Sequence, residues 1–417
     1  MFGQDRTFSG SSVSFVGARL IDGNGNDPLN DSVVVVEGDV IKAVGRTGEV
    51  EIPSIGQIKD VSGKTIMPGM IDCHVHISWT TSNLRERLLT PRTVEIFQAA
   101  EMMKRTLRAG FTTVRDAGTL NDSGFREALE TGLVEGPRLV VAGAIVQTGG
   151  HLDLYYPSGV CLPLIRGETC DGVPEVQRGA RKLLREGADF IKVCTSGGTG
   201  LPVSRPEHLE WTDEELKAIV EEASARGKAV MAHAISVDGV KRAVRAGVWS
   251  VEHGSCLDDE AIEMLVDSGT YLIPTLSVDQ AILNRDPDDG WAPTERTRAE
   301  LIEKQALESF KKAAAAGVRL AVGTDALNWQ MHGRNALELE LFVRYGMTPM
   351  AAIIAATKTA SEACRVDHRV GTLEAGKLAD LLVVDGNPLD RISLLQERSR
   401  LLVVMKEGRI YPNAASH

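Results

Sequence analysis

The chain has 417 residues, of which 43% are hydrophobic, 25% charged and only 5% aromatic, and its formal net charge is -11. This hydrophobic fraction is enough for a large core, whereas an acidic chain with few aromatic side chains lacks the clustered cations that bind nucleic-acid phosphates. Residues 1–10 contain no apolar segment of the kind found in secretory signals, no run is long enough to span a bilayer, and the six cysteines show no CxxC spacing. We therefore expect a cytoplasmic protein with free thiols that binds neither nucleic acid nor a membrane.

Short β-rich runs separated by glycine and aspartate turn residues occupy both ends of the chain. They cover residues 13–20, 31–37 and 40–44 at one end and 378–385 and 401–410 at the other. Neither group is large enough to bury a sheet of its own. We therefore predict one small β-sandwich domain composed of residues 1–65 and 368–417, with the rest of the chain inserted between them.

The inserted residues 66–367 alternate strand-like and helical patterns. The strand candidates end near His76, Gly118, Gln147, Gly197, Ala234, Ser255, Leu276 and Asp325. Amphipathic helical patterns lie between them, and the helix predicted over 213–226 follows a capping box formed by Thr212 and Glu215. Eight strand–helix repeats predict an α/β fold of the (β/α)8 TIM-barrel type, in which the chemistry takes place at the C-terminal ends of the strands.

Side chains that bind metals lie at several of these strand ends. His74 and His76 are two residues apart in a strand and therefore share one face of it. His233, His253 and Asp325 each end another strand candidate. Taken singly, each histidine could be a core residue bonded to a backbone carbonyl, and Asp325 could be the N-cap of the next helix. Together, four imidazoles and one carboxylate suit zinc or a similar metal.

Lys192 lies in the apolar run 189–197, where an unpaired ammonium would cost several kcal/mol. The lysine fits this strand if CO2 has converted its amine to a carbamate, an anion able to bridge two divalent cations. Two cations that share one water lower its pKa enough to give hydroxide near neutral pH. The sequence therefore predicts a hydrolase with two divalent metal ions, for which zinc is the expected metal, and a carboxylated Lys192.

The full set resembles the amidohydrolase superfamily, and within it the imidazolonepropionase-like and prolidase-like branch. The resemblance covers nearly the whole chain and rests on the metal-ligand residues, in the family's order, and on the segments 148–153, 188–198, 251–254 and 371–380. It implies that His74 and His76 bind one metal, that His233 and His253 bind the other, and that carboxylated Lys192 bridges them. It also implies that Asp325 binds the first metal and acts as general base and then as general acid.

Five further residues are candidates for substrate binding. The resemblance implies that His151 polarises the scissile carbonyl opposite the metals, although it could be only a loop histidine in a glycine-rich turn. Tyr155, His332 and Arg334 lie in loops that could reach a substrate, where surface solvation or helix capping is the alternative role. Ile235 occupies the position at which prolidase-like relatives commonly carry a tyrosine that binds the substrate carboxylate. This departure puts dipeptide specificity in doubt and leaves space for a larger or less polar group.

These observations predict a hydrolase that cleaves the amide bond of a small-molecule substrate, either an N-acyl amino acid or a dipeptide. The alternatives are a bulky xenobiotic amide such as an aromatic acyl-phenylalanine of the ochratoxin type, or a carbamate or urea. A cyclic amidase of the imidazolonepropionase type is less favoured, because that group uses one metal and has no need of a bridging Lys192. A catalytically inactive scaffold is disfavoured by the complete set of six ligands. The family also implies a homo-oligomer.

Overall fold

The computed structural model describes residues 12–81, 83–118, 123–155, 167–199, 203–284 and 293–411. Its strands, in chain order, are β1 (Ser12–Leu20), β2 (Leu29–Glu37), β3 (Val40–Arg46), β4 (Gln57–Asp60), β5 (Thr65–Pro68), β6 (Met70–Val75), β7 (Phe111–Asp116), β8 (Arg138–Val146), β9 (Glu168–Thr169), β10 (Phe190–Cys194), β11 (Ala229–Ala234), β12 (Ser250–His253), β13 (Tyr271–Ile273), β14 (Leu381–Val384), β15 (Leu401–Lys406) and β16 (Arg409–Tyr411).

The α-helices are α1 (Leu84–Leu89), α2 (Arg92–Arg108), α3 (Ser123–Glu130), α4 (Val173–Arg185), α5 (Asp213–Ser224), α6 (Val237–Ala246), α7 (Asp259–Ser268), α8 (Leu276–Leu283), α9 (Pro293–Ala316), α10 (Leu337–Arg344), α11 (Pro349–Ala355) and α12 (Lys358–Ala363). Short 3-10 helices cover Asp153–Tyr155, Ile392–Gln396 and Arg398–Arg400. Within the described ranges, no helix is both long and apolar enough to cross a membrane.

The two ends of the chain form one mixed sheet with the order β16-β15-β14-β5-β1-β2-β3, and β4 pairs with β1. The ends meet where β5 runs antiparallel to β14, with Ile66 opposite Val383. Phe15, Ile66 and Val383 are fully buried in a cluster beneath this sheet. The composite small domain is thus confirmed, and its strands form one hydrogen-bonded sheet. The domain boundary at residues 65 and 66 stays a prediction, because β5 spans it.

The barrel sheet has the order β13-β12-β11-β10-β8-β7-β6, and its neighbouring strands are parallel. Residues 319–326 close the gap between β13 and β6 through isolated bridges and single hydrogen bonds, such as those from Ala321 N to Leu272 O (3.1 Å) and from Cys73 N to Val322 O (2.8 Å). The chain passes so close to its neighbours here that a Cβ on Gly323 would lie 2.3 Å from Ile273 Cγ2. The predicted barrel is confirmed, with its eighth strand reduced to this bridging segment.

Local sequence signals place the helices around the barrel. Thr212 Oγ1 accepts a hydrogen bond from Glu215 N (3.3 Å), and Glu215 Oε2 accepts one from Thr212 N (2.8 Å), which completes the predicted capping box. The helix it begins, α5, ends at Ser224, two residues before the predicted end.

A buried ion pair joins the barrel to the terminal sheet. Arg138, the first residue of β8, contacts Asp380 Oδ2 at 2.9 Å and Glu407 Oε1 at 2.8 Å, and Asp380 is only 4% exposed. Because a buried guanidinium needs partners, these carboxylates orient the sheet on the barrel. The contact lies at the start of β8 and leaves the opposite, C-terminal ends of the strands clear.

Candidate metal centre

The C-terminal ends of β6 and of the bridging segment bring His74, His76 and Asp325 together. His76 Nε2 lies 3.1 Å and His74 Nε2 lies 3.4 Å from Asp325 Oδ1. One potential ligand atom from each residue lies within 4.8 Å of those of the other two, and all three side chains are buried. The hydrogen bond from Asp325 N to His74 O (2.7 Å) fixes this approach.

His233 and His253 come from β11 and β12 and lie beside this cluster. Their ring centroids are 4.6 Å apart, and the centroid of His253 lies 5.3 Å from that of His74. Lys192 lies on β10, where it pairs with Met231 of β11, and it is only 4% exposed. The structure therefore brings the four histidines and Asp325 to one end of the barrel and places Lys192 on β10, beside the strand that carries His233.

Three of the buried imidazoles, those of His74, His233 and His253, favour the neutral form. Burial, followed by neighbouring positive groups, lowers the pKa of His74, His233 and His253 well below the usual value. Burial also lowers the pKa of Lys192. Burial opposes ionisation of Asp325, but His74, His76 and Lys192 outweigh it and lower the pKa of this carboxyl to about 2. The site thus combines neutral nitrogen donors with an ionised carboxylate.

These donors fit a divalent cation. Asp325 Oδ1 and His76 Nδ1 are buried and form no hydrogen bond within the described part of the chain. Asp325 Oδ1 instead lies close to two imidazole nitrogens, an arrangement of lone pairs that a cation would satisfy. The backbones of His253 (φ 71°) and Asp325 (φ 51°) are left-handed. Such conformations cost on the order of 1–3 kcal/mol each and concentrate at functional sites.

A buried charged network supports His74 from behind. Its Nδ1 lies 2.8 Å from Glu252 Oε2, and Glu252 Oε1 accepts hydrogen bonds from Arg115 (2.9 Å) and Ser250 Oγ (2.6 Å). Glu252 and Arg115 are completely buried. Glu252 Oε2, as the acceptor, holds the proton of His74 on Nδ1, so that the lone pair of Nε2 points toward Asp325.

Asp72 supports the same cluster through uncharged groups. Its Oδ2 accepts hydrogen bonds from Thr324 Oγ1 and Asn335 Nδ2, both at 2.7 Å, and its Oδ1 accepts from the backbone N–H groups of His74 and Thr324. Asp72 therefore connects β6 to the bridging segment and is more than a turn residue at the entry of a strand. Burial raises the pKa of this carboxyl to about 6, although its hydrogen bonds oppose the shift.

His151 lies against the second histidine pair. Its ring stacks on that of His233, with centroids 4.6 Å apart and an interplanar angle of 16°. Its Nδ1 lies 2.9 Å from Ser204 Oγ, and Glu210 Oε1 accepts a hydrogen bond from its backbone N–H at 2.6 Å. Burial lowers the pKa of His151 to about 4, so the ring is neutral and can act as a hydrogen-bond donor.

The other substrate-binding candidates differ in where they lie. The Tyr155 ring lies 5.3 Å from that of His151, and Ile235 is buried directly after β11. His332 is buried with its Nδ1 3.0 Å from Thr106 Oγ1. Arg334 is exposed, and within the described residues no hydrogen bond or ion pair joins its side chain to the candidate ligands. The structure thus brings Tyr155 to the histidine cluster, buries Ile235 two residues after His233, and leaves Arg334 at the surface.

Sequence reasoning did not identify Trp79, whose ring lies 5.3 Å from His76 and 5.2 Å from Tyr155. It is buried, and the guanidinium of Arg87 lies 4.2 Å from its ring centroid. His76, Trp79, Tyr155 and His151 thus form a continuous row of rings, the aromatic row. The position of Trp79, three residues after His76, was the available signal, since residues just beyond a barrel strand enter the active-site loops.

Comparison with known proteins agrees with this geometry. The model of the amidohydrolase family matches residues 65–411. The ochratoxinase of Aspergillus niger is 30% identical over 422 residues, which cover 96% of this chain and 87% of that protein. A solved prolidase complexed with N-methylphosphonate-L-proline has a TM-score of 0.90 and 32% identity, covering 97% of this chain and all of the other. A Xaa-Pro dipeptidase with bound methionine has a TM-score of 0.87 and 32% identity, covering 96% of this chain and all of the other. The chain therefore belongs to the amidohydrolase family and is a hydrolase that acts on amide bonds.

Proposed function

We propose that this chain hydrolyses the amide bond of an N-acyl amino acid or a dipeptide at a site for two divalent cations, for which zinc is the expected metal. The residues that would hold these cations are His74, His76, Asp325, His233, His253 and Lys192, the last as its carbamate. The observation that supports the proposal is the convergence of four buried histidines and Asp325 at one end of the barrel, with buried Lys192 on the adjacent strand β10. The neutral state of the imidazoles suits a borderline metal.

Two cations bound there would supply Lewis acidity and a water of lowered pKa. Side chains of the protein would transfer the proton and stabilise the developing negative charge. Asp325, whose Oδ1 lies beside His74 Nε2 and His76 Nε2, accepts a proton from the attacking water. It returns that proton to the amide nitrogen when the C–N bond breaks, which releases a carboxylic acid and an amine. His151, neutral and fixed against His233, donates a hydrogen bond to the carbonyl oxygen as negative charge develops there.

The aromatic row and Ile235 favour an N-acyl amino acid with an aromatic acyl group. The Trp79 ring centroid lies 5.3 Å from that of His76, and the Tyr155 ring centroid lies 5.3 Å from that of His151, so both rings could contact an aromatic acyl group. Ile235 adds an apolar side chain where a tyrosine would bind a small dipeptide's carboxylate. The similarity to an ochratoxinase supports this substrate class.

A dipeptide with C-terminal proline is the second candidate. It is favoured by the similarity to a prolidase and to a Xaa-Pro dipeptidase, both at 32% identity over nearly the whole chain. The two candidates differ in the size and polarity of the group that must fit beside Ile235. Cytoplasmic location and homo-oligomeric assembly stay predictions.

The test is a screen of the zinc-loaded protein against N-aroyl amino acids and Xaa-Pro dipeptides, read by release of the free amine. We expect hydrolysis of both classes, with the larger kcat/KM for the N-aroyl compounds. Ile235→Tyr should shift the ratio of the two kcat/KM values toward the dipeptides, and Trp79→Leu should lower kcat/KM for the N-aroyl compounds selectively. Absence of amine release from every compound would contradict the proposed function, and an unchanged ratio in both variants would contradict the aromatic preference.

A further inference from the structure

The loop that follows β10 reaches the side chain of His151 through a buried hydroxyl. Ser204 is 1% exposed, and its Oγ accepts a hydrogen bond from the backbone N–H of Gly198 at 3.0 Å. The same Oγ lies 2.9 Å from His151 Nδ1. Gly198, Ser204 and His151 therefore form a linear chain of hydrogen-bonding groups, the serine relay, that ends on the imidazole.

The number of protons available decides the direction of the last bond in the serine relay. A hydroxyl has one hydrogen and two lone pairs, and the Gly198 N–H can only donate, so it occupies one lone pair. If His151 carried its proton on Nδ1, that proton would occupy the second lone pair. The hydroxyl hydrogen of Ser204 would then have no acceptor among the described residues. A buried donor without a partner costs about 1–3 kcal/mol.

The opposite arrangement satisfies the Gly198 N–H, the Ser204 hydroxyl and His151 Nδ1 together. The Ser204 hydroxyl donates to an unprotonated Nδ1, and the single proton of the neutral imidazole then resides on Nε2. We infer that Ser204 is a positioning residue that holds His151 in the Nε2–H tautomer, with the hydrogen-bond donor on the ring nitrogen that does not face Ser204. The inference deepens the proposed function and rests on it, because this Nε2–H is the donor that would meet the carbonyl oxygen of the scissile amide.

Packing around the serine relay prevents the ring from turning away. A Cβ on Gly198 would lie 2.3 Å from His151 Cε1, so the backbone of residue 198 lies directly against the imidazole. A Cβ on Gly197 would lie 2.1 Å from the carbonyl oxygen of Arg205, the residue that follows Ser204 in the chain. The backbone N–H of His151 donates a hydrogen bond to Glu210 Oε1, which fixes the backbone of this residue. The two adjacent glycines thus permit the close approach on which the serine relay depends.

The first test measures the tautomer directly and does not require turnover. Two-bond proton–nitrogen correlation spectra of 15N-histidine-labelled, zinc-loaded protein distinguish a protonated from an unprotonated ring nitrogen, and the His151 signals are those lost in His151→Ala. We expect protonated Nε2 in the wild type and in Ser204→Thr, which keeps the hydroxyl. In Ser204→Ala, the fraction protonated on Nδ1 should rise. Protonated Nδ1 in the wild type, or the same spectrum in Ser204→Ala, would overturn the inference whether or not the protein hydrolyses an amide.

The second test is kinetic and uses a double-mutant cycle with an N-acyl amino acid. Ser204→Ala should lower kcat about ten- to a hundredfold with a smaller change in KM, because the donor acts on charge that develops in the transition state. In a His151→Ala background the same change should have no further effect, since Ser204 acts through His151. An equal loss in both backgrounds would show a merely structural role. Absence of amide hydrolysis by the wild type would contradict the proposed function, and the tautomer would still decide the role of Ser204.

Ser309 provides a matched control for these experiments. It is a buried serine whose Oγ accepts a hydrogen bond from Leu257 N (2.9 Å) and donates one to Ser255 O (2.9 Å). Ser309→Ala therefore removes the same number of hydrogen bonds and leaves the same kind of backbone N–H without a partner. It should leave kcat and the tautomer of His151 unchanged. A fall in kcat equal to that of Ser204→Ala would assign both effects to loss of stability.

Discussion

Behind His74 the supporting groups are charged and fully buried, whereas His233 and His253 are supported by a backbone carbonyl and a hydroxyl. His74 rests on Glu252, which in turn binds Arg115. His253 Nδ1 lies 2.7 Å from Thr275 Oγ1, and His233 Nε2 lies 3.4 Å from the carbonyl oxygen of Gly197. We call these the charged half and the neutral half of the candidate centre.

The difference has an energetic meaning. A buried ion pair adds little folding stability compared with an apolar pair of the same size. Losing one partner, however, leaves an unpaired buried charge that strongly destabilises the fold. Neutral hydrogen bonds contribute only about 0.5–1.5 kcal/mol each and tolerate rearrangement better. The charged half therefore maintains one geometry, while the neutral half, which also contacts His151 and its loop, can adapt to a substrate. The predictions below test this division, beginning with Lys192, which is proposed to bind the cations of both halves.

Lys192→Ala should have the largest effect, since carboxylated Lys192 is proposed to bridge both cations. We expect loss of both metal ions and of all measurable amide hydrolysis, with the protein still folded because alanine suits an apolar strand. Short carboxylic acids added to the variant should restore part of both, by replacing the carbamate. Metal analysis and amine release are the measurements. Two tightly bound zinc ions in Lys192→Ala would contradict the carbamate.

Asp325→Asn should separate metal binding from proton transfer in the charged half. The amide keeps the size and an oxygen ligand of the carboxylate but cannot accept a proton, so zinc content should largely survive while kcat falls about 10²–10⁴-fold. Turnover within a few-fold of the wild type would leave Asp325 only the role of capping the segment that follows it.

Glu252→Gln and Thr275→Val compare the two halves directly through the stability of the metal-free protein. Glu252→Gln leaves the fully buried Arg115 without its counter-charge and should lower the free energy of unfolding by about 3–5 kcal/mol. Thr275→Val keeps the branched shape and removes one neutral hydrogen bond, so the loss should be about 1–3 kcal/mol. Urea denaturation of both variants measures the two effects.

The control for this comparison removes the positive charge of Arg115 together with the negative charge of Glu252. In Arg115→Met/Glu252→Gln no charge is left unpaired, and part of the stability lost in Glu252→Gln should return. If the double variant is no more stable than Glu252→Gln, the charged half owes its stability to something other than this ion pair.

Glu210 tests whether the neutral half avoids charge. Burial raises the pKa of its carboxyl to about 8, and the hydrogen bond from His151 N only partly opposes this. The folded protein therefore keeps a proton that the unfolded chain releases, so stability is full below the unfolded pKa and is lost as pH rises through about 8. Glu210→Gln keeps an acceptor and cannot ionise. Relative to it, the wild type should lose a few kcal/mol of unfolding free energy between about pH 4 and about pH 9. A pH-independent difference would mean that Glu210 is already ionised in the folded state.

The candidate ligand residues could be selected from the sequence because each polar side chain lies at or near the end of an apolar run, and parallel strands bring such ends together. The role of Glu252 could not be predicted, because alternation along a strand places it on the opposite face from its neighbour His253. It nevertheless supports the same centre as His253, because His253 leaves the strand with φ of 71° and Glu252 crosses the barrel interior to His74. Ser204 lies in a loop, and only the folded chain shows that it meets His151.

The pairing of β5 with β14 has a consequence for how the protein folds as it is synthesised. Strands β1 to β5 leave the ribosome well before β14, because the partner of β5 lies more than three hundred residues later in the chain, at Leu381–Val384. Until then β5 has an open edge, and the apolar side chains that pack against β14 remain exposed. Pairing between such distant residues is slow, since the loop-closure entropy must be overcome first. Nascent chains that stop before residue 381 should therefore be the aggregation-prone species during translation, even when every residue of the barrel has already emerged.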